Sequence, residues 1–436
     1  MQLILRASLG ALLLLVVVAC ATSEAPPTPP EQTALPTPAG PTDPAQPTPT
    51  DASPTASPAT VPTDLPPSST PADAGLSQIA GFPADGALSV SAAISTAGGF
   101  VAVGAEPATG QGVDGVRQGV VWTSADGESW QREADEAFHG ASLDHVAELD
   151  GSLYAFGFHS LCASFDEECP DTGSAGNAGW RRTAAGEWQR LELPASMRSG
   201  AVEGVGVADG WLVARGSYGD DVVAAIWLSD DGQRWQAITE LAGLDYVADA
   251  VTPPGGAGMV LLGTAYDFET DTIALMAALS DGGGQFRPAV VPAGISATIE
   301  GVAEGPAGLI AVGNLVPADV PGSGAVALSS SDGAEWRSLP ADAFAGTSVW
   351  AVHGRDDGYL VLGSQVVPGM DGLSAGRAWW SADGRAWTGL TFDGLTFSEL
   401  TGSAAGDAGA VAFTVELTGD VPVVRAWHAA PEALGR

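Results

Sequence analysis

Ser124-Ala125-Asp126-Gly127-Glu128-Ser129-Trp130 returns along the chain three more times. The copies are Ser229-Asp230-Asp231-Gly232-Gln233-Arg234-Trp235, Ser330-Ser331-Asp332-Gly333-Ala334-Glu335-Trp336 and Ser381-Ala382-Asp383-Gly384-Arg385-Ala386-Trp387. Ser and Asp bond readily to backbone N–H groups nearby, Gly tolerates positive φ, and Trp brings a large apolar surface. Together they read as a tight hairpin closed by an aromatic ring. Its return at a spacing of roughly fifty residues or a multiple of it marks a repeat architecture.

A second element keeps step with the first. Phe100-Val101-Ala102-Val103-Gly104 is echoed by runs ending at Gly157, Gly216, Gly263, Gly313 and Gly363, and by Ala410-Val411-Ala412-Phe413. The intervals are 53, 59, 47, 50, 50 and 50 residues, so there are seven copies. Apolar, β-branched runs bounded by Gly, Asp and Pro predict strands buried on both faces. Each unit then holds four strands: a small-residue run, the Val-Ala-Val-Gly run, a strand carrying a Trp just before the hairpin, and a strand after the closing Trp. The expectation is an all-β, seven-bladed β-propeller of four-stranded antiparallel blades. The seventh unit stops after its third strand at Trp427, and Ser77–Phe82 stands ready to supply the fourth and close the ring.

The Ser-x-Asp-Gly-x-x-Trp turn resembles the Asp-box, or BNR, repeat of sialidase-like propellers, although it is one residue shorter than the usual form. The resemblance runs from Ser77 to about residue 430, and it implies that these turns sit on a propeller edge with a structural role. It also implies what a sialidase would need: three arginines around a substrate carboxylate, a Tyr–Glu nucleophile pair and an Asp acid-base near the axis. The predicted innermost strands, 88–96, 143–150, 200–208, 246–252, 296–304, 347–353 and 397–404, contain no arginine, and Tyr246 is their only tyrosine. Arg198 and Arg355 merely flank two of them. The expectation is therefore a chain without catalytic residues, a binding, scaffold or assembly module. The alternative is an extracellular sialidase-like glycoside hydrolase or a carbohydrate-binding propeller.

The N-terminal part reads differently. Arg6, the apolar run Leu9–Val18 and the small Ala19 before Cys20 form an export signal over residues 1–20, and Cys20 resembles a bacterial lipobox cysteine. That resemblance implies lipidation at Cys20 and anchoring at the outer face of a bacterial membrane. Residues 21–74 form a Pro/Thr-rich tether, with 16 of the 31 prolines in 21–72, a composition that favours extended spacers over packed cores. The propeller is expected over 75–436. Cys162 and Cys169 are the other two cysteines, and an oxidising compartment favours a local disulfide between them.

The formal net charge is −36, which excludes nucleic acid as a partner. Every loop joining the second and third strands carries an acid; Asp166, Asp171, Asp220, Asp221, Asp267, Glu269 and Asp271 make a candidate binding face for a basic protein or Ca²⁺. No cofactor is expected otherwise, and the protein is expected to be a monomer.

Overall fold

The Val-Ala-Val-Gly runs form strands because β-branched and small apolar residues fit a pleated surface covered on both sides. In the computed structural model they are the second strands of seven sheets. The structure describes residues 75–435, except 85, 109–114, 162–174, 220–221, 257, 268, 283, 317–323, 367–373, 393–395, 398 and 419–420. Each sheet is an antiparallel meander, as in Ser89–Thr96, Gly99–Pro107, Arg117–Ser124 and Gln131–Glu133 of the first blade. The innermost strands are Ser89–Thr96, Ala141–Leu149, Ala201–Ala208, Tyr246–Val251, Ala297–Gly305, Ser348–Arg355 and Glu399–Gly406. The chain is a seven-bladed all-β propeller.

Every innermost strand carries a bulge at the same place. The register slips between Val90 and Ala92, Leu143 and His145, Val202 and Gly204, Val247 and Asp249, Ile299 and Gly301, Val349 and Ala351, and Leu400 and Gly402. Opposite each of the first six bulges lies the glycine that ends the Val-Ala-Val-Gly run. A Cβ at Gly104, Gly157, Gly216, Gly263, Gly313 or Gly363 would overlap a carbonyl oxygen of the innermost strand. The glycines are thus required by close backbone approach, and the bulge re-aims the extra residue of each innermost strand. In the seventh blade Thr414 takes the glycine's place.

The hairpin motif builds the joints between blades. In the first copy Ser124 Oγ accepts from Gly127 N–H at 2.9 Å and donates to Asp126 Oδ1 at 3.1 Å. Glu128 and Ser129 N–H both donate to Asp126 Oδ1, at 2.9 and 2.7 Å. Those backbone donors, Ser129 first, hold the Asp126 carboxyl down to about 2. Asp231, Asp332 and Asp383 are lowered by the same kind of bonds. Gly127, Gly232, Gly333 and Gly384 all take φ between 70° and 77°. A side chain there would also strike the blade before: His428 at Gly127, Tyr154 at Gly232, Val260 at Gly333 and Ile310 at Gly384. Trp130, Trp235 and Trp336 return their indole N–H to the motif glycine's carbonyl at 2.9–3.1 Å, whereas Trp387 Nε1 is buried without a partner.

The connectors into the blades add an element the sequence reading lacked. Phe138 packs on Trp180 and Trp188, with centroids 5.4 and 5.2 Å apart, and Phe344 packs on Trp379 and Trp387 at 5.0 and 5.2 Å. Phe82 does the same for the first blade, 5.8 Å from Trp122 and 5.6 Å from Trp130, and also reaches Phe413 of the last blade at 5.3 Å.

The N-terminal strand is Gly75–Gln78, shorter and earlier than the expected Ser77–Phe82. It runs antiparallel to Val421–Ala429, with Ser77 opposite His428 and Gln78 opposite Trp427, and parallel to Thr388–Phe392. Leu76 is buried among Leu390, Trp427 and Leu434. If this strand holds the last blade in the ring, Leu76→Ala lowers unfolding free energy by about 2–5 kcal/mol, as deletion of a buried Leu side chain does elsewhere. Denaturant titration checks this; an unchanged midpoint would show the strand to be dispensable.

Candidate functional site

The bulges add one residue to each innermost strand. In blade three the extra residue is Glu203, in blade five it is Glu300, and in blade six it is Trp350. Blade four contributes Tyr246, three residues before Asp249 on the same innermost strand. The register Tyr246↔Thr264 places this cluster at the end of the strands nearer the second-to-third-strand loops, opposite the Asp-box turns.

The predicted innermost strands held no arginine, yet one reaches the innermost strand of blade three from its neighbour. Arg215 lies on a second strand, Trp211–Tyr218, and its guanidinium lies over Gly204 of the innermost strand, where any side chain would collide with it. Its Nε sits 3.9 Å from Asp249 Oδ1, and both side chains are mostly covered, 22 % and 30 % exposed. The sequence search covered innermost strands only, so an arginine reaching across a glycine escaped it. Arg355, expected only to flank an innermost strand, ends one, Ser348–Arg355, and donates to Asp357 Oδ1 at 2.9 Å.

Hydrogen bonds fix the carboxylates. Asp249 Oδ2 accepts from Val302 N–H at 3.0 Å, joining blades four and five. Glu300 Oε1 accepts from Thr298 Oγ1 and Asn314 Nδ2, both at 3.1 Å. Asn314 in turn pairs with the backbone of Val349, giving Nδ2 to its carbonyl and accepting its N–H at Oδ1, each at 2.9 Å. Trp350 follows directly and donates Nε1–H to Ser364 Oγ at 3.0 Å.

Burial pushes the Glu300 and Glu203 carboxyls up; at Glu300 the bonds from Asn314 and Thr298 oppose it, and at Glu203 the Arg215 charge does. Glu203 keeps contact with solvent, so its desolvation is partial. Tyr246 is raised first by burial, then by the negative charge of Glu203, with Glu300 and Asp249 adding to it and Arg215 opposing. A phenol raised in this way stays protonated and donates. Elsewhere in the ring His353 Nε2 lies 2.8 Å from Ser403 Oγ, and burial takes its imidazole down to about 4, so the pair joins blades six and seven uncharged.

The other sequence-derived residues fall into three groups. The Asp-box residues occupy hairpins at the far edge. Cys20, Cys162, Cys169, Asp166, Asp171, Asp220 and Asp221 lie outside the described residues. Asp267, Glu269 and Asp271 form one exposed hairpin: Asp267 Oδ1 accepts from Glu269 N–H at 2.8 Å, and the Tyr266 hydroxyl donates to Asp271. Among the described residues no group of three or more His, Cys, Asp or Glu is arranged to hold a metal ion.

No protein-family model and no curated protein sequence matches this chain. Solved structures do. Hydrazine synthase from Kuenenia stuttgartiensis is similar at 10 % identity and a TM-score of 0.48, over 78 % of this chain and 95 % of that one. An α-L-arabinofuranosidase from Fusarium graminearum is similar at 12 % and 0.43, over 71 % and 97 %. Trypanosoma rangeli sialidase, in complex with the inhibitor DANA, gives 12 % and 0.38 over 79 % of this chain, which spans only 55 % of the sialidase. Likeness at this level concerns fold alone. The expectation of a non-enzyme is nevertheless withdrawn, since a sialidase and an α-L-arabinofuranosidase stand among the solved structures similar to this chain.

Glu300 gives a stability test with a definite sign. Its folded-state pKa is raised by burial, so the cost of ionising it is absent below its unfolded value and complete above its folded one. Glu300→Gln should therefore be more stable than the parent at pH 8, with the gain vanishing as pH falls to 4. Thermal melts across that range read it out.

Proposed function

We propose that this protein binds a saccharide at the axial mouth formed by blades three to six, and cleaves a glycosidic bond there by carboxyl chemistry. The observation that carries this reading is the convergence of the half-buried Asp249, Glu300, Tyr246 and Arg215 with the exposed Glu203. Glycoside hydrolysis needs one carboxyl held protonated to meet the leaving oxygen and a second held ionised for water or the sugar carbon. Glu300, enclosed and raised, suits the acid. Asp249, bonded to Val302 N–H and close to Arg215, suits the ionised partner. Tyr246, protonated, serves as a donor to a sugar hydroxyl.

The same proposal places the propeller outside the cell, held through a lipid on Cys20 and spaced by residues 21–74. The basis is the apolar Leu9–Val18 run ending at Ala19-Cys20. Cys20→Ser should then move the protein from the membrane fraction to the medium.

The enzymatic part is tested with a panel of chromogenic glycosides and glycan-binding measurements on the wild-type protein. Glu300→Gln should lower kcat by about 10²–10⁴-fold, the usual worth of a positioned general acid. Tyr246→Phe should raise KM more than it lowers kcat. Full activity in a folded Glu300→Gln/Asp249→Asn double variant would sink the assignment.

A further inference from the structure

Four Asp-box turns lean on the blade before them, and one of these joints differs in kind. A side chain at Gly232 would meet Tyr154, at Gly333 Val260 and at Gly384 Ile310, groups that carry no charge near neutral pH. At Gly127, in the first blade, it would meet the imidazole of His428. His428 belongs to the third strand of the seventh blade, Val421–Ala429. There it pairs with Val411 on one side and with Ser77 of the N-terminal strand on the other. The joint is the seam at which the two ends of the ring meet.

Both nitrogens of this ring face acceptors. Nδ1 lies 3.5 Å from Glu128 Oε1 on the Asp-box turn, and Nε2 lies 3.3 Å from the Ala408 carbonyl oxygen. A neutral imidazole has one N–H to give, so one of these oxygens would then face a ring lone pair. An imidazolium donates to both. His353, between blades six and seven, has a different partner: the Ser403 hydroxyl can donate as well as accept, so that pair is satisfied without charge. The His428 side chain is 7 % exposed and Glu128 70 %, so a hydrated carboxylate sits against a covered ring. On the other elements around it, Asp126 is bonded to its own turn and Arg425 is paired with Glu416. Asp407, beside Ala408, and Glu432, on the terminal helix Pro431–Gly435, are exposed to solvent.

We propose that His428 is a proton-operated latch on the seam between the last and first blades. Protonated, it bridges the Ala408 turn of the seventh blade and Glu128 of the first; neutral, it releases one of them. The proposal is independent of the saccharide-site reading. Imidazole changes charge in the ordinary physiological range, which makes it the side chain suited to such a device. Stability carried by a bound proton is present in acid and lost as pH rises, so the seam is firmest at low pH. The same joint holds Gly75–Gln78, and the latch therefore governs how securely the N-terminal strand is kept in the ring.

The experiment is amide hydrogen exchange on the full-length protein at about pH 5.5 and pH 8, which bracket the imidazole range. Rates are expressed as protection relative to the unstructured chain, so that the pH dependence of exchange itself cancels. Amides of Gly75–Gln78 and Val421–Ala429 should be roughly two- to fivefold better protected at the lower pH, the worth of a partly exposed ion pair. Amides around Gly384 and Ile310, at an uncharged joint, should show no such gain. Glu128→Gln, a change at an exposed side chain, should abolish the difference at the seam and leave the other joints as they were. Equal protection of the seam at both pH values in the parent protein would overturn the latch, and so would a difference that survives in Glu128→Gln. If that variant proves unstable, raising NaCl from 50 to 500 mM on the parent gives the second arm. Screening should shrink the pH difference, and a difference indifferent to salt counts against the proposal.

Discussion

The structure depends on a steric exclusion repeated around a ring. In six blades a carbonyl oxygen of the innermost strand occupies the space where a second-strand side chain would begin, and glycine alone permits it. The close approach accompanies a bulge, which adds one residue to each innermost strand, Glu203 in blade three and Glu300 in blade five. Packing between blades, the polar axis and the cluster around Tyr246 all follow from that local geometry. A larger residue at any of these glycines would push the innermost strand outward and change what the axis displays.

Around this constraint, aromatic residues set the spacing between sheets. The buried third-strand tryptophans Trp122, Trp180 and Trp227 donate their indole N–H to the connector that enters their own blade: to Pro83 O, Ala137 O and Ser196 Oγ. The Asp-box glycines lean on the preceding blade. Three blades are thus tied to their entering connectors by a tryptophan and four to the preceding blade by a turn, and the tryptophan bond persists in the second blade, where the Ser-Asp pair has decayed. Thr183 and Glu187 keep a backbone hairpin in the second blade without the Asp.

Fold and site were legible to different degrees, for physical reasons. The blade number could be read because apolar strands and Asp-box turns impose short-range patterns that survive sequence drift. The N-terminal strand was found but misplaced, because Ser77–Phe82 does two jobs: Ser77 and Gln78 pair, whereas Phe82 is a wedge of the kind seen at Phe138 and Phe344. The axial cluster was not legible. Glu203 and Glu300 reach the axis by virtue of bulges, which leave no mark in a two-residue period, and Arg215 arrives from a different strand over Gly204. The terminal glycine of the Val-Ala-Val-Gly runs was the available clue, and read as a required close approach it would have located six of the seven bulges.

Gly75–Gln78 has a mechanical meaning. It is the point at which a chain of 74 preceding residues joins the propeller, and it pairs with strands of both the sixth and the seventh blades. Any tension transmitted along that chain enters the fold there first, through two flanking ladders and the Phe82 wedge. Such a load would act on the ladders to Thr388–Phe392 and Val421–Ala429. The strand that pairs with the last sheet is therefore the first part of the propeller such a load would reach.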